Sequence, residues 1–140
     1  MIKVLKLIPY IYILYGIFFF NFLKAQSKDS LAYIKIKNLK YDFGTVTQGK
    51  VVKIEYYFEN KGESPLVISN IETTCGCTVA DFPHYPVRKG DSGIILITFN
   101  TKEFLDKVNR FVNVISNASN SPVQLKFVGN IVEDSSEKKK

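Results

Sequence analysis

Residues 51–60 alternate cleanly between apolar and polar positions. Val52, Ile54, Tyr56 and Phe58 fall on one side, and Lys53, Glu55, Tyr57 and Glu59 on the other. Such period-two alternation marks a half-buried strand, because successive side chains of an extended chain point to opposite faces. Burying four side chains of this size is worth about 1.5–3 kcal/mol each, which gives the segment a reason to pack. Residues 31–37 repeat the pattern with Ala32, Ile34 and Ile36 inward, and residues 66–73 with Leu66, Ile68 and Ile71. Two later segments do the same, 108–116 through Val108, Val112 and Val114, and 123–131 through Val123, Leu125, Phe127 and Ile131. Arg110 shares the phase of the three valines and is expected at the rim of the core. Residues 94–100 are almost continuously apolar and are expected in the middle of a sheet.

Turn chemistry separates these segments. Residues 41–44 lead into Gln48-Gly49-Lys50, and further turn signals stand at 60–65, 88–93 and 117–122. Pro83 and Pro86 make residues 79–86 an edge strand or an irregular segment, since proline cannot donate to a central ladder. Residues 101–106 read as a loop with Phe104 and Leu105 tucked beneath it. About seven strands, with a turn every eight to twelve residues and no helical period, predict an all-β, antiparallel two-sheet sandwich of immunoglobulin type. The chain has no tryptophan, and its two cysteines, two positions apart, cannot join one sheet to the other.

The sandwich is expected over residues 31–132, about 100 residues and enough for one core. Residues 1–25 carry Lys3 and Lys6, an apolar run from Leu7 to Leu23 and the small residue Ala25, the order of a secretory signal peptide; a retained membrane anchor is the alternative. Residues 26–30 form a polar leader, whose Asp29-Ser30-Leu31 resembles a short O-glycosylation signal; three-residue patterns arise often by chance, and linker is the preferred reading. Lys3, Lys6 and Lys24 supply half of the formal net charge of +6, and Lys138-Lys139-Lys140 ends a charged tail over 133–140. The folded part is therefore near neutral, which argues against nucleic acid as a partner.

Several of these residues together resemble a known family. Asp42-Phe43-Gly44-Thr45-Val46, Gln48-Gly49, Tyr57-Phe58-Glu59-Asn60-Lys61-Gly62 and Pro65-Leu66-Val67-Ile68 appear in order. Thr74-Cys75-Gly76-Cys77-Thr78, a Gly90 turn, Ile97-Thr98-Phe99-Asn100, Val114-Ile115-Ser116-Asn117 and Gly129 follow. The series resembles the bacterial family called domain of unknown function 1573. The resemblance implies an exported immunoglobulin-like sandwich, related to modules that mostly bind or assemble. The chain departs from the family at 101–107, where a glycine usually precedes the next strand and Glu103-Phe104-Leu105-Asp106 stands instead.

Candidate chemistry centres on Cys75 and Cys77. In an oxidising compartment the pair can close on itself, with Gly76 letting the backbone bend. The lesser alternatives are soft-metal ligation with His84, the sole histidine, as the third ligand, and reduced side chains that shape a turn. No nucleophile–base arrangement and no phosphate-cradling glycine loop stands in the sequence, so an enzyme and a cofactor are not expected. The expected function is an exported, non-enzymatic interaction or assembly module. Its partner would be another exported or envelope protein, contacted through Phe82, His84 and Tyr85, and it would leave the membrane once the signal is cleaved. The alternative is a thiol-redox or copper-binding role for Cys75 and Cys77.

Overall fold

A computed structural model describes residues 31–133. Eight strands build it: β1 (Ile34–Ile36), β2 (Lys40–Thr47), β3 (Val51–Asn60), β4 (Ile68–Thr73), β5 (Thr78–Asp81), β6 (Ser92–Asn100), β7 (Asp106–Ser116) and β8 (Val123–Val132). They form two four-stranded sheets, ordered β1-β3-β6-β5 and β2-β8-β7-β4. The all-β sandwich expected from the alternation is the fold. The signal segment 1–25, the leader 26–30 and the tail from 134 to 140 lie outside the described residues.

The inward phases are those of the sequence. Ile54, Tyr56 and Phe58 of β3, Ile95, Ile97 and Phe99 of β6, Val108, Val112 and Val114 of β7, and Leu125, Phe127 and Ile131 of β8 are all buried. Phe99 meets Phe127 across the gap between sheets, ring centres 5.2 Å apart. The Tyr56 hydroxyl crosses the same gap and donates to the Lys126 carbonyl at 2.7 Å. The expected central strand β6 lies between β3 and β5. Along β4 the inward phase moves from Ile68 to Ile71 because a register shift falls between Ile68 and Asn70.

One strand departs from the expectation. Residues 41–44, taken as the approach to a turn, belong to β2, which makes eight strands and pairs in parallel with β8. Its register shifts between Asp42 and Thr45, where Gly44 has φ 72°. A bulge of this kind puts neighbouring residues out of phase and erases the period-two signal. Phe43 reaches inward there over Gly129, at which a Cβ would stand 2.1 Å from the Phe43 ring. The residues thus depend on each other, the aromatic on one strand filling the space the glycine leaves on its neighbour.

Strands in both sheets run between two ends of the sandwich. At one end the connections β2–β3, β4–β5 and β6–β7 cross between sheets. The other end holds the connections β3–β4, β5–β6 and β7–β8, together with the segment leading into β1.

Candidate functional site

The first end is assembled by backbone bonds between its three crossings. Thr101, fully buried, donates both its N–H (3.0 Å) and its hydroxyl (2.8 Å) to the Lys50 carbonyl. Gln48 Nε2 donates to the Lys102 carbonyl at 3.0 Å, and Asn100 N–H to the Cys77 carbonyl at 2.9 Å. Phe104 packs on Phe99 at 5.3 Å and carries the Arg110 guanidinium 4.9 Å from its ring centre. Arg110 is therefore at the rim, as expected. Leu105 stays exposed while Phe104 tucks in. At the start of β7 Asp106 adopts φ 66°, a left-handed conformation that aspartate tolerates better than most residues.

Cys75 and Cys77 form the β4–β5 crossing and are joined as a disulfide, Cα atoms 5.3 Å apart. The turn is held independently of that bond. The Cys75 carbonyl accepts from the Thr73 hydroxyl and from the Thr78 N–H, each at 3.3 Å. Thr78, the first residue of β5 and buried, sets its Oγ1 3.5 Å from Cys75 Sγ and 3.7 Å from Cys77 Sγ. A ring of three residues removes little freedom from the unfolded chain, so the bond adds about 1.5 kcal/mol on the chain-entropy relation. Both cysteines are half-buried. They line an open cleft of about 420 Å³ together with Asn100, Lys102, Glu103 and Phe104.

The other sequence candidates lie elsewhere. β5 runs away from the cysteines over four residues, about 13 Å of extended chain, before His84 is reached. The soft-metal set of Cys75, Cys77 and His84 is thus not brought together. Among the described residues no group of three His, Cys, Asp or Glu side chains gathers to hold a metal. His84 is exposed, with Nε2 4.0 Å from Asp81 Oδ1 and its ring 4.7 Å from that of Phe82. Of the candidate partner surface, Tyr85 is exposed, but Phe82 is half-buried and packs on the core. The exposed apolar residues of this sheet lie instead on its outer face. Tyr57 and Ile94 stand directly opposite each other there, 50% and 42% exposed, and Val79 on the end strand β5 is 64% exposed.

The second end holds the residue that sequence reasoning passed over. Asn60 continues the inward phase of Ile54, Tyr56 and Phe58 and is completely buried. Its Nδ2 donates to the Ser64 (2.8 Å) and Val87 (3.0 Å) carbonyls, and its Oδ1 accepts from Gly62 N–H (2.9 Å) and Tyr33 N–H (3.4 Å). One amide so ties β3 to three separate segments, in keeping with the rule that buried polar groups are satisfied. Gly62 lets the segment before β1 cross at contact, since a Cβ there would stand 2.3 Å from the Leu31 carbonyl oxygen. The signal was legible: a polar residue at a core phase demands partners. Asn-Lys-Gly is therefore a structural clasp.

Comparison with known proteins agrees with this architecture. The family model described as Protein of unknown function (DUF1573) matches residues 34–131. The fold is similar to a protein of unknown function from Porphyromonas gingivalis W83, at TM-score 0.65 and 17% identity over 76% of this chain; the chain spans 50% of the length of that protein. It is also similar to the ASH / PapD-like domain 7 of human CEP192, at TM-score 0.62 and 13% identity, covering 80% of this chain and 94% of that one. A third likeness, to the SrpA adhesin of Streptococcus sanguinis, has TM-score 0.52 and 11% identity over 84% of this chain and 63% of the adhesin. At these identities the likenesses show the fold. No curated protein matches the sequence.

Proposed function

The chain belongs to this family, Protein of unknown function (DUF1573), and from that premise we propose that it is an exported, non-enzymatic module that docks another protein of the cell envelope. The observation that carries the reading is the outer face of the β1-β3-β6-β5 sheet. Tyr57, Ile94 and Val79 are exposed on it, and it ends in the short strand β5, whose far edge has no strand partner among the described residues. An edge of this kind offers backbone groups to an extended segment, and flanking apolar side chains choose which segment fits. Export is supported by the charged, apolar, small-residue order of residues 1–25. The test is position-specific photo-crosslinking in cells. A crosslinker at Val79 should give a discrete adduct in the envelope fraction, and one at Lys61 should not. Equal labelling from both sites, or recovery of the protein from the cytosol with residues 1–25 intact, overturns the reading.

A second reading is favoured by the cleft at the first end, where a half-buried cysteine pair meets open space. It assigns Cys75 and Cys77 a thiol-based role. Soft-metal carriage has no third ligand among the described residues, so the role would be redox.

A further inference from the structure

The bond between Cys75 and Cys77 is nearly redundant as a staple. It closes three residues, and the Cys75 carbonyl is already held by Thr73 and Thr78. It also sits where a reactant can arrive, in the wall of a cleft whose apolar side is Phe104 and whose charged groups are Lys102 and Glu103. The buried hydroxyl of Thr78 is placed against both sulfurs at once, 3.5 Å from one and 3.7 Å from the other. Neither sulfur of a disulfide has a proton to give, so this hydroxyl is the donor. A hydrogen bond of this kind gains strength when the sulfur becomes a thiolate.

We propose that the Cys75–Cys77 bridge is a thiol–disulfide exchange site, with a pair of cysteine-type thiols as its substrate and Thr78 receiving the departing sulfur. The proposal rests on the second reading above and adds to it a substrate class and a positioning residue. A substrate thiolate attacks one sulfur, a mixed disulfide forms, and the electron pair of the broken bond leaves on the other sulfur. That thiolate accepts the Thr78 hydrogen bond and then a proton from water. The second substrate thiolate attacks its own sulfur in the mixed disulfide, and the second protein sulfur leaves. Two electrons and two protons pass from the substrate dithiol to Cys75 and Cys77, the substrate departs as a disulfide, and no other reactant is consumed. The step runs in reverse toward a partner that is the stronger oxidant.

The experiment uses the purified full chain, reduced either by dithiothreitol or by a two-cysteine peptide, then quenched by alkylation and weighed. Reversible opening is expected, about ten-fold faster in the native protein than in the same protein unfolded in urea. Thr78→Val keeps the side-chain shape and removes the hydroxyl; it should slow opening about ten-fold, with Thr78→Ser restoring the rate. Should Thr78→Val fail to fold, the single variants Cys75→Ser and Cys77→Ser serve in its place: mixed with the peptide in its oxidised form, at least one should attack the peptide disulfide with its remaining thiolate and hold a mixed disulfide. A faster reaction with the peptide at equal thiol concentration identifies a polypeptide substrate, and a faster reaction with dithiothreitol a small thiol. A bridge that never opens in the native protein, or two single variants that trap nothing, overturns the thiol reading altogether. Opening at wild-type rate in Thr78→Val overturns the assignment to Thr78 and leaves the thiol reading standing.

Discussion

The two ends of the sandwich solve the same problem, the crossing of chain between sheets, by different means. At the Asn60 end a single buried amide holds three segments, and Gly62 lets two backbones touch. Both the nitrogen and the oxygen of that amide are bonded twice. At the cysteine end Thr101 clasps the β2–β3 turn, but the β4–β5 crossing stands beside an open cleft. A buried polar network is costly to break because its remaining members are left without water. A three-residue disulfide in a solvated turn is cheap to break. The difference separates an end held by a buried hydrogen-bond network from one whose covalent link adds little to stability.

The comparison can be broken most directly at the clasp. Asn60→Leu fills the space but leaves the Tyr33 and Gly62 N–H groups without the amide oxygen they donate to, and removes the tie to the Ser64 and Val87 carbonyls; it should cost about 3 kcal/mol in urea unfolding. A loss below that of the cysteine variants would reverse the assignment of the two ends. The double variant Cys75→Ser with Cys77→Ser should lower stability by about 1.5 kcal/mol, with the far-UV circular dichroism unchanged.

Between the ends, Tyr56→Phe removes the bond to the Lys126 carbonyl and should cost about 1 kcal/mol at neutral pH. Burial, with a smaller contribution from Tyr41, raises the Tyr56 hydroxyl well above its ordinary value near 10. A raised folded-state pKa means that its stabilising contribution is complete below pH 10 and is lost as the pH climbs beyond it, because the unfolded chain ionises first. Unfolding midpoints measured from pH 8 to pH 11 should therefore fall more steeply for the wild type than for Tyr56→Phe. The smallest effect belongs to Asp106→Gly. It removes the cost of φ 66° but frees the unfolded chain, for a net gain of about 0.5 kcal/mol by differential calorimetry. Asp106→Val should lose stability instead.

Local alternation revealed five of the eight strands, and a continuous apolar run a sixth, β6. β3 is the plainest case, Val51–Asn60 in both readings. β5 was left between edge strand and irregular segment, and it is both in turn, a four-residue edge followed by the proline stretch. β2 was missed because its bulge breaks the phase on which the reading depends. The cysteine pair was visible as chemistry, but its cleft was not, since Asn100, Lys102 and Phe104 reach it from a different crossing. Phe82 looked like surface from its proline neighbours and turned out to cover the core.

The sequence by itself determined which residues face inward, where the chain turns, and that an asparagine occupies a core phase. These are local properties, written in the two-residue period of an extended chain. Only the tertiary structure decided that β2 runs parallel to β8, that Asn60 finds partners up to 27 residues away, and that Thr78 meets both sulfurs beside an open cleft. Each of those depends on sheet order and on which crossings converge at one end, and that long-range packing has no counterpart in the spacing of residues along the chain.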